Sequence, residues 1–282
     1  MSAQKSAASA MGAAGRAGNS DALENFARVG LIAYGIVHLL VAWLALQLAW
    51  GGGGQSADQS GAMATLAEQP LGTPLLWVVA LGMLALAVWQ AAEVLRWRSG
   101  WSASGDARSK ALKKSGKSVV KAVVYLALGI LAIRFATGAG TSSSQSQQQT
   151  AAGVFAWPGG RWLIGVAGLV LVGVGVYHVY KGVTKRFLKE IDLAEAPPTA
   201  ARLVTRLGQV GFPGKGVALA VVGGLLVYAA ARFDPAKASG LDGALRTILD
   251  APFGRVLLTL VALGIAFFGA YLLVRARYPE RT

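Results

Sequence analysis

Pro252-Phe253-Gly254-Arg255-Val256-Leu257-Leu258 opens an apolar run that closes at Ala270-Tyr271-Leu272-Leu273-Val274-Arg275. The same unit occurs twice earlier. Pro70-Leu71-Gly72 leads to Val88-Trp89-Gln90-Ala91-Ala92-Glu93, and Pro158-Gly159-Gly160-Arg161 leads to Val176-Tyr177-His178-Val179-Tyr180-Lys181. Counted from the glycine that ends each motif (Gly72, Gly160, Gly254), an aromatic follows seventeen residues on (Trp89, Tyr177, Tyr271). An ionisable residue follows twenty-one on: Glu93, Lys181, Arg275. Self-similarity at this period identifies a repeat architecture before any local assignment is made.

The composition places that repeat in a membrane. Of the 282 residues 54% are hydrophobic and only 14% charged, more apolar surface than a soluble chain of this size hides from water. The absence of cysteine removes disulfides, thiolate metal sites and thiol catalysis together. A net charge of +14 invites a nucleic-acid reading, but the basic residues sit between apolar runs rather than on one face, which excludes it.

Six spans follow from runs of about 20 apolar residues, the length that crosses a hydrocarbon core. They are Val29–Trp50, Leu75–Ala92, Ala122–Ile133, Trp162–Tyr180, Val217–Ala231 and Val256–Val274. The third is only twelve residues between Lys121 and Arg134 and spans only if both side chains snorkel. The fifth is also short. Residues 1–25 are expected to be a flexible tail, and the uncharged Ser/Gln segment Thr141–Thr150 a disordered or loosely packed loop.

Assigning Lys and Arg to alternate sides puts 21 with the N-terminal tail, two basic loops and the C-terminal tail, against 6 on the other side. Basic residues accumulate on the cytoplasmic side, so both termini are expected there. The expected fold is an all-α membrane protein of six transmembrane helices. Three tandem parallel helical hairpins, residues 26–98, 112–187 and 204–278, form a pseudo-threefold bundle around an axis along the membrane normal. The first helices agree less well than the second: Gly30/Gly35 and Gly211/Gly216 share a five-residue spacing, whereas Gly116 is followed at that distance by Lys121.

With Ala27-Arg28-Val29-Gly30-Leu31-Ile32-Ala33-Tyr34-Gly35-Ile36-Val37-His38 in a first helix and Pro252–Arg255 through Gly264 and Tyr271 in a second, the chain resembles the DUF1206 membrane proteins. The resemblance covers roughly residues 26–279. It implies a bacterial, largely actinobacterial, plasma-membrane protein and no assigned activity. That family often places a basic residue before the second glycine of a first helix; Lys215-Gly216 fits this, and Tyr34-Gly35 departs from it.

Polar residues within spans are costly and are functional suspects. Here they are His38 and Gln47, Gln90 and Glu93, and His178. His38 lies on the stripe Gly35, His38, Ala42, Ala45, Ala49, and His178 on Gly168, Leu171, Gly175, His178, Gly182; such small-residue faces line helix contacts in membranes. At ~1.5 Å per residue, His38 is roughly 15 Å from Arg28, and Gln90, Glu93 and His178 lie nearer the basic end. His38, Gln90, Glu93 and His178 therefore form the candidate polar pocket, with His38 and Glu93 as an exchangeable pair. The plainer alternative, that each makes one interhelical hydrogen bond worth about 0.6 kcal/mol or snorkels, carries more weight. Against it, Val124 and Leu219 stand where His38 does in the other repeats, so threefold packing needs no histidine.

No hydrolase, transferase or phosphate-loop motif occurs, so no enzyme, cofactor or metal site is expected. The function expected, narrowly, is a non-enzymatic scaffold or accessory subunit; the alternative is a small transporter or proton-coupled conduit using the polar pocket. The partners expected are the lipid bilayer, anionic headgroups at the basic loops, and a membrane-protein or acidic cytoplasmic partner.

Overall fold

The computed structural model describes residues 21–51, 54–141, 143–191 and 196–278. The described chain is helical and contains no β-strand. It falls into three triplets, each a long, a short and a long helix. The first is α1 (Asp21–Ala49), α2 (Gln59–Ala67) and α3 (Gly72–Trp97); the second is α4 (Gly105–Ala136), α5 (Ser143–Phe155) and α6 (Gly160–Val183). The third is α7 (Pro198–Arg232), α8 (Gly240–Leu249) and α9 (Gly254–Arg277). All six long helices are long and apolar enough to cross a membrane.

The repeated Pro-x-Gly motif is the turn between short and second long helix. A Cβ on its closing glycine would run into a carbonyl of the preceding short helix: Leu66 at Gly72, Val154 at Gly160, Leu249 at Gly254. The invariant glycine is thus a close-approach requirement, met three times over.

Three sequence expectations change. The Ser/Gln segment lies largely within α5, which packs on α6 and α8, so it is neither disordered nor loose. Glutamine is a good helix former, and a covered face supplies the stability that composition concealed. The third span is no twelve-residue segment: α4 runs 32 residues, carrying its basic stretch as helix. The fifth span does not begin at Val217 either, because α7 is helical from Pro198 straight through Pro213 and Lys215. The tail expected over residues 1–25 lies outside the described residues up to residue 20, and the backbone is already helical from Asp21.

The long helices form a ring in the order α4, α3, α1, α9, α7, α6, and its most extensive packing runs between repeats: α6 on α7, α3 on α4, α9 on α1. At two of these seams backbones meet at equivalent glycines. A Cβ on Gly175 would lie 2.6 Å from the Gly216 carbonyl, and one on Gly35 would lie 2.9 Å from that of Gly269. The third equivalent pair is Ala87 and Lys121.

Within hairpins, Gly82 of α3 packs against Gly30 of α1, and its counterpart Gly264 of α9 packs against Gly214 of α7. Repeat two has Val170 at that place. Accordingly α4 and α6 barely meet, and the ring is open between them. The threefold plan holds with one splayed hairpin.

At the less basic end, Asp58 caps α2 by accepting from the Ser60 and Gly61 amides at 2.9 and 3.0 Å. Asp242 of α8 accepts from the Ala57 amide and from Arg246 Nε, both at 2.8 Å. The first and third repeats are thereby tied together at their short helices.

Candidate functional site

Glycines set the site's position. Gly211, Gly214 and Gly216 let α9 and α6 close on α7, and Gly35 lets α1 close on α9. Where these four helices converge, the side chains of Tyr34 and His38 (α1), Lys215 (α7) and Phe268 (α9) meet. His38 is 5% exposed. Its Nδ1 lies 2.8 Å from the carbonyl of Tyr34, which can only accept, so Nδ1 carries a proton. In a neutral imidazole Nε2 is then an acceptor, and Lys215 Nζ donates to it at 3.2 Å. Lys215 also donates to the Tyr34 hydroxyl at 3.0 Å and lies 4.1 Å from the Phe268 ring centroid, a cation–π distance. Among the described residues no carboxylate pairs with Lys215. Tyr125 of α4 closes the cluster edge-on to Tyr34 at 5.5 Å.

The cluster lies deep. Lys215 is nine residues from Arg206, about 14 Å along the axis, and His38 is ten from Arg28, about 15 Å. The register of α6 sets it in the basic half of a hydrocarbon core ~30 Å thick: a Cβ on Gly216 would lie 3.0 Å from the Val179 amide nitrogen, two residues before Lys181.

A second group sits at the basic end, one step outward. Phe212 packs on Phe268 at 5.2 Å, and Lys181 Nζ lies 4.5 Å from the Phe212 centroid. Glu190, in the 3-10 turn Arg186–Glu190 after α6, accepts from Lys181 at 2.7 Å and Arg275 at 3.2 Å. Burial alone would raise the Glu190 carboxyl, but Arg275, Lys181 and Lys121 outweigh it and hold the group down at about 2. Lys181 and Arg275 are the ionisable residues that close their repeats, so the repeat itself brings two cations to one carboxylate.

The four sequence candidates fare differently. His38 is central. His178 is half-buried, with Nδ1 donating to the Val174 carbonyl at 2.8 Å, and its ring lies 5.9 Å from that of Phe212, at the edge of the cluster. Glu93 does not join His38: it accepts from Trp97 Nε1 at 2.7 Å and from Arg96 at 3.2 Å on its own helix. Gln90 is half-buried on the same helix, one turn before Glu93. Sequence reading missed Lys215 as a site residue because a span starting at Val217 leaves it in a basic loop. Its correspondence with Tyr34, each immediately before an equivalent glycine, was the available signal. No group of three metal-ligating side chains occurs among the described residues.

A family model described as "Domain of Unknown Function (DUF1206)" matches the chain three times, at residues 29–96, 116–185 and 210–279. A protein of Bacillus subtilis (strain 168), described as uncharacterized protein YxxB, is 29% identical over 260 residues, covering 92% of each chain. No solved structure matches.

Proposed function

We propose that this chain, which belongs to the DUF1206 family, is a non-enzymatic membrane protein that passes a small anion or a proton through its bundle. The observation that carries the reading is Lys215, an amine inside the bundle that meets a hydroxyl, an imidazole and an aromatic ring but, among the described residues, no carboxylate. Placing a lysine within a span is costly, up to about 2.5–3.5 kcal/mol at a helix centre on insertion scales. Packing gives no return for it, since Val120 stands at the equivalent place in the second repeat. An amine in this setting is suited to meeting a mobile anion or handing a proton to His38 Nε2. The cation-rich group at Lys181 and Arg275 lies between it and the basic end, where an anion is drawn in. By the distribution of basic residues that end is cytoplasmic, and membership of a family with a Bacillus subtilis relative favours a bacterial plasma membrane.

The test is flux in proteoliposomes, reading internal pH and the efflux of a trapped small anion. The expected result is flux above empty liposomes, lost at least tenfold in Lys215→Met and in His38→Ala with folding intact. Wild-type flux no greater than in empty liposomes, or undiminished flux in Lys215→Met, overturns the reading and leaves the scaffold function in its place.

A further inference from the structure

The opening between α4 and α6 has chemistry of its own. On α4, Lys117, Lys121, Val124, Leu128 and Leu131 recur every three or four residues and so share one face, two cations followed by apolar side chains. This face turns toward α6, since Lys117 Nζ lies 5.7 Å from the Tyr177 ring centroid. Val170 and Gly173 lie on the same face of α6 as Tyr177, and Val170 is 59% exposed, with nothing of the protein against Gly173. At the far end Leu131, Ile164 and Leu226 line a cavity of about 380 Å³ capped by α5. The protein leaves a cleft through the depth of its membrane-embedded part, apolar along its length and cationic at one mouth.

Water does not fill an apolar slot in hydrocarbon, and no segment of the described chain enters it. The surrounding lipid is what remains. Charge selects among lipids: around Glu190 stand Lys121, Lys181 and Arg275, with Lys117 beside them, a clear excess of cations. Glu190 is ion-paired by Lys181 and Arg275, and neither Lys117 nor Lys121 has a carboxylate within 4 Å among the described residues. Length agrees as well. Lys121 to Leu131 is ten residues, about 15 Å, half the thickness of a ~30 Å hydrocarbon core and hence the reach of one acyl chain.

We infer that the cleft between α4 and α6 seats one anionic phospholipid from the leaflet at the basic end, its phosphate on Lys117 and Lys121 and an acyl chain against Leu128 and Leu131. The second repeat departs from threefold symmetry to admit it: valine at position 170 holds the hairpin open where glycine closes the other two. Neither lysine touches Lys215, so this inference stands independently of the transport reading.

The experiment is native mass spectrometry of detergent-purified, delipidated full-length protein titrated with phosphatidylglycerol or phosphatidylcholine. One phosphatidylglycerol per chain is expected, surviving a tenfold excess of phosphatidylcholine. The Lys117→Gln/Lys121→Gln variant is expected to bind it at least tenfold more weakly, and Val170→Trp to exclude it. Both lysines are exposed, so the double variant decides the matter should the tryptophan variant misfold. Equal binding of the two lipids, unchanged binding in the double variant, or full displacement by inorganic phosphate alone overturns the inference; the last would mark a phosphate site without a lipid.

Discussion

Replacing Lys215 separates work from packing, because the two roles pull in opposite directions. Apolar substitutes for buried ionic groups are often neutral or stabilising. Lys215→Met is therefore expected to hold or raise the thermal midpoint in detergent while flux is lost, with both read on the same preparation. Glu190 behaves in the contrary sense. Removing its charge leaves Lys181 and Arg275 facing each other, and Glu190→Gln is expected to cost about 1–3 kcal/mol, reduced from a fully buried pair because the carboxylate is partly exposed. Its depressed pKa also fixes a pH dependence. The carboxylate is stabilised only while ionised, so the contribution is complete above the ordinary carboxyl value of about 4.5 and disappears as pH falls toward 2. Acid melting of wild type should therefore be steeper across that window than that of Glu190→Gln; parallel profiles would dissociate Glu190 from stability.

Helices in this bundle meet where side chains are missing, and the meetings are specific to position. A Cβ on Gly175 lands 2.6 Å from the Gly216 carbonyl, whereas one on Gly173, two residues away on the same helix, meets nothing. Backbone cannot yield as a flexible side chain does. Gly175→Ala is thus expected to destabilise by about 1–3 kcal/mol, and Gly173→Ala to be neutral or stabilising by up to about 1 kcal/mol through reduced chain entropy. Thermal unfolding of the pair in one detergent checks both, and equal effects would contradict the α6–α7 seam. The glycine pattern was visible in sequence, yet its pairing was not. Gly30, Gly82, Gly214 and Gly264 read as small residues on apolar helices, and only the assembled ring shows which backbones they bring together.

For the molecule as a whole, the basic and less basic ends define a topology that the cysteine-free chain makes simple to test. Single cysteines at Lys110, in the basic part of α4, and at Gln69, before the first Pro-x-Gly turn, should label from opposite sides of a sealed cell. With cytoplasmic termini, an impermeant thiol reagent reaches the Gln69 variant from outside and the Lys110 variant only after permeabilisation. The reverse pattern would invert the orientation and place the Glu190 cluster on the outer face.

By itself the sequence determined the class, the count and the repeat, because each rests on local quantities. Apolar run length counts spans against a fixed bilayer thickness, and the thrice-met Pro-x-Gly turn marks where each second helix must begin. It also singled out His38 as the polar residue that symmetry does not require. Tertiary structure alone decided the partners. Lys215 belongs to the site because α7 continues as helix through Pro213, and 177 residues of chain separate it from the His38 it meets. Glu93 falls away because Trp97 and Arg96 lie one turn along its own helix and satisfy it first. The opening between α4 and α6 was equally hidden, since a single valine at a hairpin crossing is an ordinary membrane residue until its two glycine counterparts are seen in backbone contact.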